Sequence, residues 1–160
     1  MQRVTILCVG KLKEKFYMEA VSEYTKRLSR HCKLEIVELP EQRLGDNPTQ
    51  GEIDAALERE AAAIREKLPR GGAVVAMCIE GKLMDSVALS KKLMQFGLEG
   101  KSQLTFLIGG SVGLHPALKE QADLRLSMSP MTFPHHLARV MLLEQIYRGS
   151  QIIEGSKYHK

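Results

Sequence analysis

The feature that most constrains this chain is the alternation of short apolar runs with longer stretches of helical period. Val4-Thr5-Ile6-Leu7-Cys8-Val9 is a nearly continuous apolar run closed by Gly10, the pattern of a buried strand. Residues 14–30 follow with Phe16, Ala20, Tyr24 and Leu28 spaced by four, as on one helix face. Residues 34–39 partly alternate and stop at Pro40, which predicts a second strand. Thr49 and Glu52 stand at capping-box spacing, and Ile53, Leu57, Ala61, Ile64 and Leu68 then trace an apolar stripe until Pro69 and Gly71-Gly72 end it. A third strand is predicted over 73–79, a helix over 86–96 and a fourth strand over 104–108. Pro116 suits the first turn of a brief helix. Residues 124–127 read as a short fifth strand and 136–153 as a long final helix. Strands that alternate with helices and are apolar on both faces imply an α/β fold with a mainly parallel sheet. No repeat or linker divides the 160 residues, so a single domain over 1–160 is expected.

Composition narrows the function classes only a little. A formal charge of +4, from 23 basic and 19 acidic residues, leans towards an anionic partner without identifying one. Cys8, Cys32 and Cys78 form no C-x-x-C pair, so neither a disulfide framework nor a zinc site is expected. No metal-ligand cluster and no run long enough to span a membrane is evident. A soluble, reduced, cytoplasmic protein is expected.

Five segments carry chemistry. Ile108-Gly109-Gly110-Ser111-Val112-Gly113 follows a buried strand. Glycines at a strand's carboxyl end let backbone approach a ligand, and α/β sheets bind ligands at that edge. The spacing misses G-x-G-x-x-G, and a tight strand-to-helix turn is the competing explanation. Ile79-Glu80-Gly81-Lys82 places a second glycine at a neighbouring edge, where a turn would also explain it. The segment from Ser127 to His136, with Met128, Ser129, Pro130, Met131, Thr132 and Phe133 in it, combines apolar side chains with two stiff prolines, Pro130 and Pro134. It reads as a rigid buried loop, either the wall of an apolar pocket or packing on the core.

The final helix carries Leu137, Val140, Met141, Leu142, Leu143, Ile146 and Tyr147 all round its circumference. A helix apolar on every side is buried on more than one, so a homodimer is expected. Arg139 stands near its start, and Glu144 and Arg148 are spaced to pair, whether for structure or for catalysis. The tail Lys157-Tyr158-His159-Lys160 suits contact with phosphate and a base, although chain ends commonly fray.

Taken together, Val9-Gly10-Lys11, the run from Phe106 through Gly109-Gly110-Ser111-Val112-Gly113 to Leu114, Met131-Thr132-Phe133-Pro134-His135 and Tyr158-His159-Lys160 resemble the RlmH (YbeA) group of the SPOUT methyltransferases over essentially the whole chain. The resemblance implies a SPOUT-type α/β fold with a C-terminal deep trefoil knot, which periodicity alone does not reveal. It implies a homodimer that transfers methyl from S-adenosyl-L-methionine to N3 of a pseudouridine in 23S rRNA, on assembled ribosomes. By position, Met77, Gly81, Gly109 and the 128–133 run would hold the cofactor. His159 would orient or deprotonate the base, with Tyr158 placing it. Arg139 and Arg148 would contact phosphate or the developing anion. Lys11, Lys13, Lys15, Lys26, Arg27 and Arg30 are further candidates for rRNA contact, or else a solvated helix face. Two rival readings are a nucleotide-dependent oxidoreductase using the glycine-rich edge and a non-catalytic ribosome-associated dimer.

Overall fold

A computed structural model describes residues 2–160. Every strand of the sheet is parallel to its neighbours, in the order β2-β1-β4-β3-β5. In chain order the elements are β1 (Gln2–Val9), α1 (Lys15–Leu28), β2 (Cys32–Leu39), α2 (Gln50–Lys67) and β3 (Ala73–Leu83). They continue with α3 (Ser86–Leu98), β4 (Gln103–Ile108), α4 (Pro116–Gln121), β5 (Leu124–Ser127) and α5 (His135–Ile153).

The two faces of the sheet follow from the period of two along each strand. On β1, Val4, Ile6 and Cys8 point into the cluster closed by α1, α3 and α5, while Leu7 and Val9 point to the cluster closed by α2 and α4. The central strand β4 is buried throughout except at Gln103, which is why its remaining sequence is apolar apart from Thr105. On α5, Leu142 and Leu143 are fully buried. Each such side chain is worth roughly 1.5–3 kcal/mol on leaving water, so this helix is fixed chiefly by its packing. Cys8 also lies in the core, where burial pushes its thiol up to about 11.

Local rules account for several boundaries. Thr49 and Glu52 form the capping box expected of them, with the Glu52 amide donating to Thr49 Oγ1 at 3.1 Å. Pro116 is the first residue of α4. One element departs from the sequence expectation. The Ile79-Glu80-Gly81-Lys82 segment is not a turn but part of β3, which continues to Leu83. Leu126 is the register partner of both Met77 and Lys82, so residues 78–81 bulge out of the ladder. Gly81 makes this possible, because a Cβ there would stand 2.8 Å from the backbone of Arg125 and Leu126.

Candidate functional site

Because all strands run the same way, their carboxyl ends share one edge, where α/β sheets bind ligands. Three neighbouring strands, β4-β3-β5, bring the expected cofactor segments onto a continuous rim: Gly109 after β4, Met77 to Gly81 on β3, and residues 128–133 after β5. Met77 and Met128 are half-buried and pack on the core.

Gly109 has a local structural reason to be glycine. A Cβ there would overlap the Gly113 carbonyl, so the turn closes only without one, and Gly113 itself has φ +82°. The loop is tethered from outside by Glu41, whose carboxylate accepts from the Ser111 amide at 2.8 Å. Glu41 therefore fixes the glycine turn from the β2–α2 loop, a segment whose polar sequence carries no such signal.

The loop after β5 is not the buried wall its apolar residues suggested. Ser127 Oγ donates to the Ser129 carbonyl and Ser129 Oγ accepts from the Met131 amide at 3.0 Å, so the loop is braced by its own short turns. Pro130 and Thr132 are exposed, Phe133 is half-buried, and Met131 is 74% exposed. Ile79 and Leu83, on the bulged end of β3, are exposed as well. A concentration of exposed large apolar groups on one rim marks a surface suited to an apolar ligand.

The four residues expected to act on substrate fall into two places. Arg139 is only 1% exposed. Its guanidinium donates to Glu38 at 2.6 Å and to the Gly10 carbonyl at 3.1 Å. Contact with rRNA phosphate is therefore closed to it, and it ties α5 to the ends of β1 and β2. Burial would raise the Glu38 pKa, but the Leu12 amide and Arg139 outweigh that and hold it below the usual carboxylate range. Beside this pair the imidazoles of His135 and His136 stack edge-on, with centroids 4.2 Å apart. Burial, then its neighbour His136, lowers the His135 pKa.

At the other end of α5, Arg148 donates twice to Glu144, at 2.6 and 2.9 Å, and meets His159 Nδ1 at 3.1 Å. The Tyr158 hydroxyl donates to Glu144 at 3.3 Å, and its ring packs edge-on against Tyr147 and under the Arg148 guanidinium. The tail is thus folded onto the helix rather than frayed. Burial, then the Glu144 charge, raises the Tyr158 pKa, keeping the phenol protonated at neutral pH. Arg148 lies thirteen residues beyond His135 on α5, about 20 Å along the axis at 1.5 Å per residue. The nearby contact of Glu154 with His31 at 2.9 Å puts this cluster at the amino edge of the sheet, away from the rim in the same protomer.

Among the described residues no cluster of His, Cys, Asp or Glu suits a metal ion, and no helix is long and apolar enough to cross a membrane.

Residues 2–159 match the family model described as "Predicted SPOUT methyltransferase". The chain is 46% identical over 158 residues to a protein of Acetivibrio thermocellus named ribosomal RNA large subunit methyltransferase H, covering 99% of each. It is 46% identical over 157 residues to a Clostridium kluyveri protein of the same name, covering 98% of this chain and 99% of the relative. In fold it is similar to a probable methyltransferase from Bordetella pertussis Tohama I, with a TM-score of 0.59 at 14% identity, over 93% of this chain and 96% of that one. A parallel sheet with its glycine turn and apolar rim on one edge, matched over nearly every residue by the family model, has one reading: the chain belongs to the SPOUT methyltransferase family.

Proposed function

We propose that this protein is an S-adenosyl-L-methionine-dependent rRNA methyltransferase that methylates N3 of a pseudouridine in 23S rRNA, acting on assembled ribosomes in the cytoplasm. The observation that carries the reading is the end-to-end identity of 46% to relatives named for methylation of large-subunit rRNA. One domain over residues 1–160, with its C-terminal segment drawn into a deep trefoil knot, is the architecture this reading implies.

The rim fits the cofactor. Half-buried Met77, Met128 and Phe133 with exposed Met131 offer apolar surface for an adenine. Gly81 and Gly109 keep the rim backbone free of side chains, and Ser129, Pro130 and Thr132 complete the loop over it. When bound, the sulfonium cofactor supplies an already activated methyl group, so the protein's task is alignment and proton removal. His159 orients the base, or takes the N3 proton on Nδ1 once Arg148 has turned from it to the base. Tyr158, held as a phenol, hydrogen-bonds and orients the base, and Arg148 stabilises the negative charge that develops on it. Arg139 acts from inside the fold, as the residue that positions the start of α5 beneath the 128–133 loop.

The distance along α5 between rim and tail requires a second chain for the two to meet, so the active form is a homodimer in which one protomer's tail serves its partner's rim. Half-buried Leu137, Val140, Met141 and Tyr147 supply an apolar face for that contact.

The test is transfer of labelled methyl from S-adenosyl-L-methionine to ribosomes of a strain lacking this gene, with isolated large subunits and naked rRNA in parallel. Label on a single pseudouridine, strongest with assembled ribosomes and located by mass spectrometry, is the expected result. Label on another nucleoside, or equal labelling of naked rRNA, would remove the finer claim.

A further inference from the structure

Next to the rim, across the β4–α4 loop, lies a cleft of about 930 Å3 between the β1–α1 loop, the β2–α2 loop and the start of α5. Lys11, Lys13 and Arg43 line it, all exposed and none in an ion pair among the described residues. Of the carboxylates that share the cleft, Glu38 is neutralised by Arg139 and also accepts from the Leu12 amide, while Glu41 accepts from the Ser111 amide and lies 4.0 Å from His135 Nε2. Glu14, 3.8 Å from His136 Nδ1, is the remaining acid nearby, so the lining keeps a cationic excess.

The floor is made by His135 and His136. Their Nε2 atoms are buried and have no hydrogen-bond partner in the protein, an expensive state for a ring nitrogen. Both converge on Gly10, where a Cβ would stand 3.3 and 3.4 Å from them and 3.6 Å from Glu41 Oε1. Gly10 has φ +102°, so a side chain is disfavoured there on backbone grounds too. The result is a notch walled by two imidazoles under a basic mouth. A lone anion does not need this much room, whereas a nucleotide with its phosphodiester does.

We infer that this cleft binds a phosphodiester-linked nucleotide of single-stranded RNA, with Lys11, Lys13 and Arg43 holding the phosphate and His135 and His136 lining the floor beneath the nucleotide. Ser111 and Val112 line the cleft from the same loop that carries Gly109, so its occupant is a neighbour of the base presented to the rim. The inference rests on the methyltransferase reading only in identifying that RNA as ribosomal.

A short single-stranded RNA oligonucleotide is titrated at several salt concentrations onto wild type, onto the Lys11→Ala, Lys13→Ala, Arg43→Ala triple variant, and onto a Lys67→Ala, Arg70→Ala control. Binding of S-adenosyl-L-methionine and the imidazole NMR signals are followed in parallel. The triple variant should bind at least tenfold more weakly, and its salt slope should fall by about 0.7, the share of one phosphate neutralised on a single strand. Cofactor affinity and the control should be unchanged, and the His135 and His136 signals should move with RNA in wild type. Equal binding by wild type and triple variant at every salt concentration would overturn the proposal. So would imidazole shifts produced by inorganic phosphate and not by the oligonucleotide. Wild type that binds RNA through the cleft yet methylates no rRNA would sink the methyltransferase reading and leave the cleft standing.

Discussion

The two ends of α5 carry an arginine each, and they use it in opposite ways. At the start, Arg139 is sealed from solvent and its charge is answered inside the protein by Glu38 and the Gly10 carbonyl. Towards the end, Arg148 is half-buried among Glu144, Tyr158 and His159, with 26% of its side chain left exposed. The helix makes both pairings with the same side chain. What differs is the neighbour: a strand end that must be anchored in one case, and a chain terminus in the other. An arginine that completes a fold is expensive to remove and chemically silent, whereas one that completes a surface cluster is cheap to remove and available to a substrate.

That contrast breaks most sharply at Arg139. Arg139→Ala leaves Glu38 without its partner and the Gly10 carbonyl without a donor, and should cost about 3 kcal/mol in urea unfolding. A loss below about 1 kcal/mol would show that the anchor is not structural. Next comes Gly109→Ala, whose methyl group collides with the Gly113 carbonyl. It should destabilise by about 2 kcal/mol and weaken S-adenosyl-L-methionine binding in calorimetry. Unchanged cofactor affinity would separate the turn from the binding site.

The surface cluster should behave the other way round. Arg148→Ala and His159→Ala are expected to change stability by less than about 1 kcal/mol while lowering single-turnover methyl transfer about a hundredfold. A large drop in melting temperature would collapse the distinction between the two ends. A pH titration sharpens it further. The His135 pKa is lowered in the fold, by burial first and then by His136, with Arg139 acting in the same sense and Glu41 and Glu14 opposing. A depressed imidazole favours the native state while neutral, so stability should be full above its ordinary value near 6.5 and fall as the pH drops through the lowered folded value. His135→Gln should flatten that acid limb of the melting curve, and Arg148→Ala should leave it in place.

The smallest effect concerns Glu60. This side chain is 3% exposed, and burial raises its carboxyl pKa although the Gln42 amide donates to it. Its contribution is therefore present at low pH and lost as the pH rises through the folded value. Glu60→Gln should gain a little stability at pH 8 and none at pH 4, read by thermal melts at the two values.

Much of the scaffold is legible in the sequence, because strands buried on both faces and capped amphipathic helices announce themselves by period and by punctuation. Thr49 with Glu52, and Pro116, behave as local chemistry demands. What local pattern does not encode is which strands become neighbours. Gly81 looks like a turn in isolation and becomes a bulge only because β5, more than forty residues later, pairs on both sides of it. Met131 looks buried because methionine commonly is, yet its loop is short and braced by serines, which turns it outwards. Arg139 reads as a site residue because it lies beside the motif, and Glu38, its partner, is 101 positions away. The rim proposed for the cofactor is visible as glycine and apolar segments. The roles of Glu38 and Glu41 are not, since nothing in a polar strand end distinguishes a tether from a solvated side chain.

The strand order also bears on how the chain reaches its fold during synthesis. β1 and β3 do not touch within the sheet; each pairs with β4, which is not complete until residue 108. A nascent chain that stops short of Gln103 therefore holds a β1–β2 pair and a separate β3, with no ladder to join them and an apolar strand edge on each. Sequence-distant pairing of this kind is slow and leaves such edges open to other chains. Helper proteins and translation rate should matter most between the emergence of β3 and that of β4, and a truncation before Gln103 should aggregate rather than fold as a smaller domain.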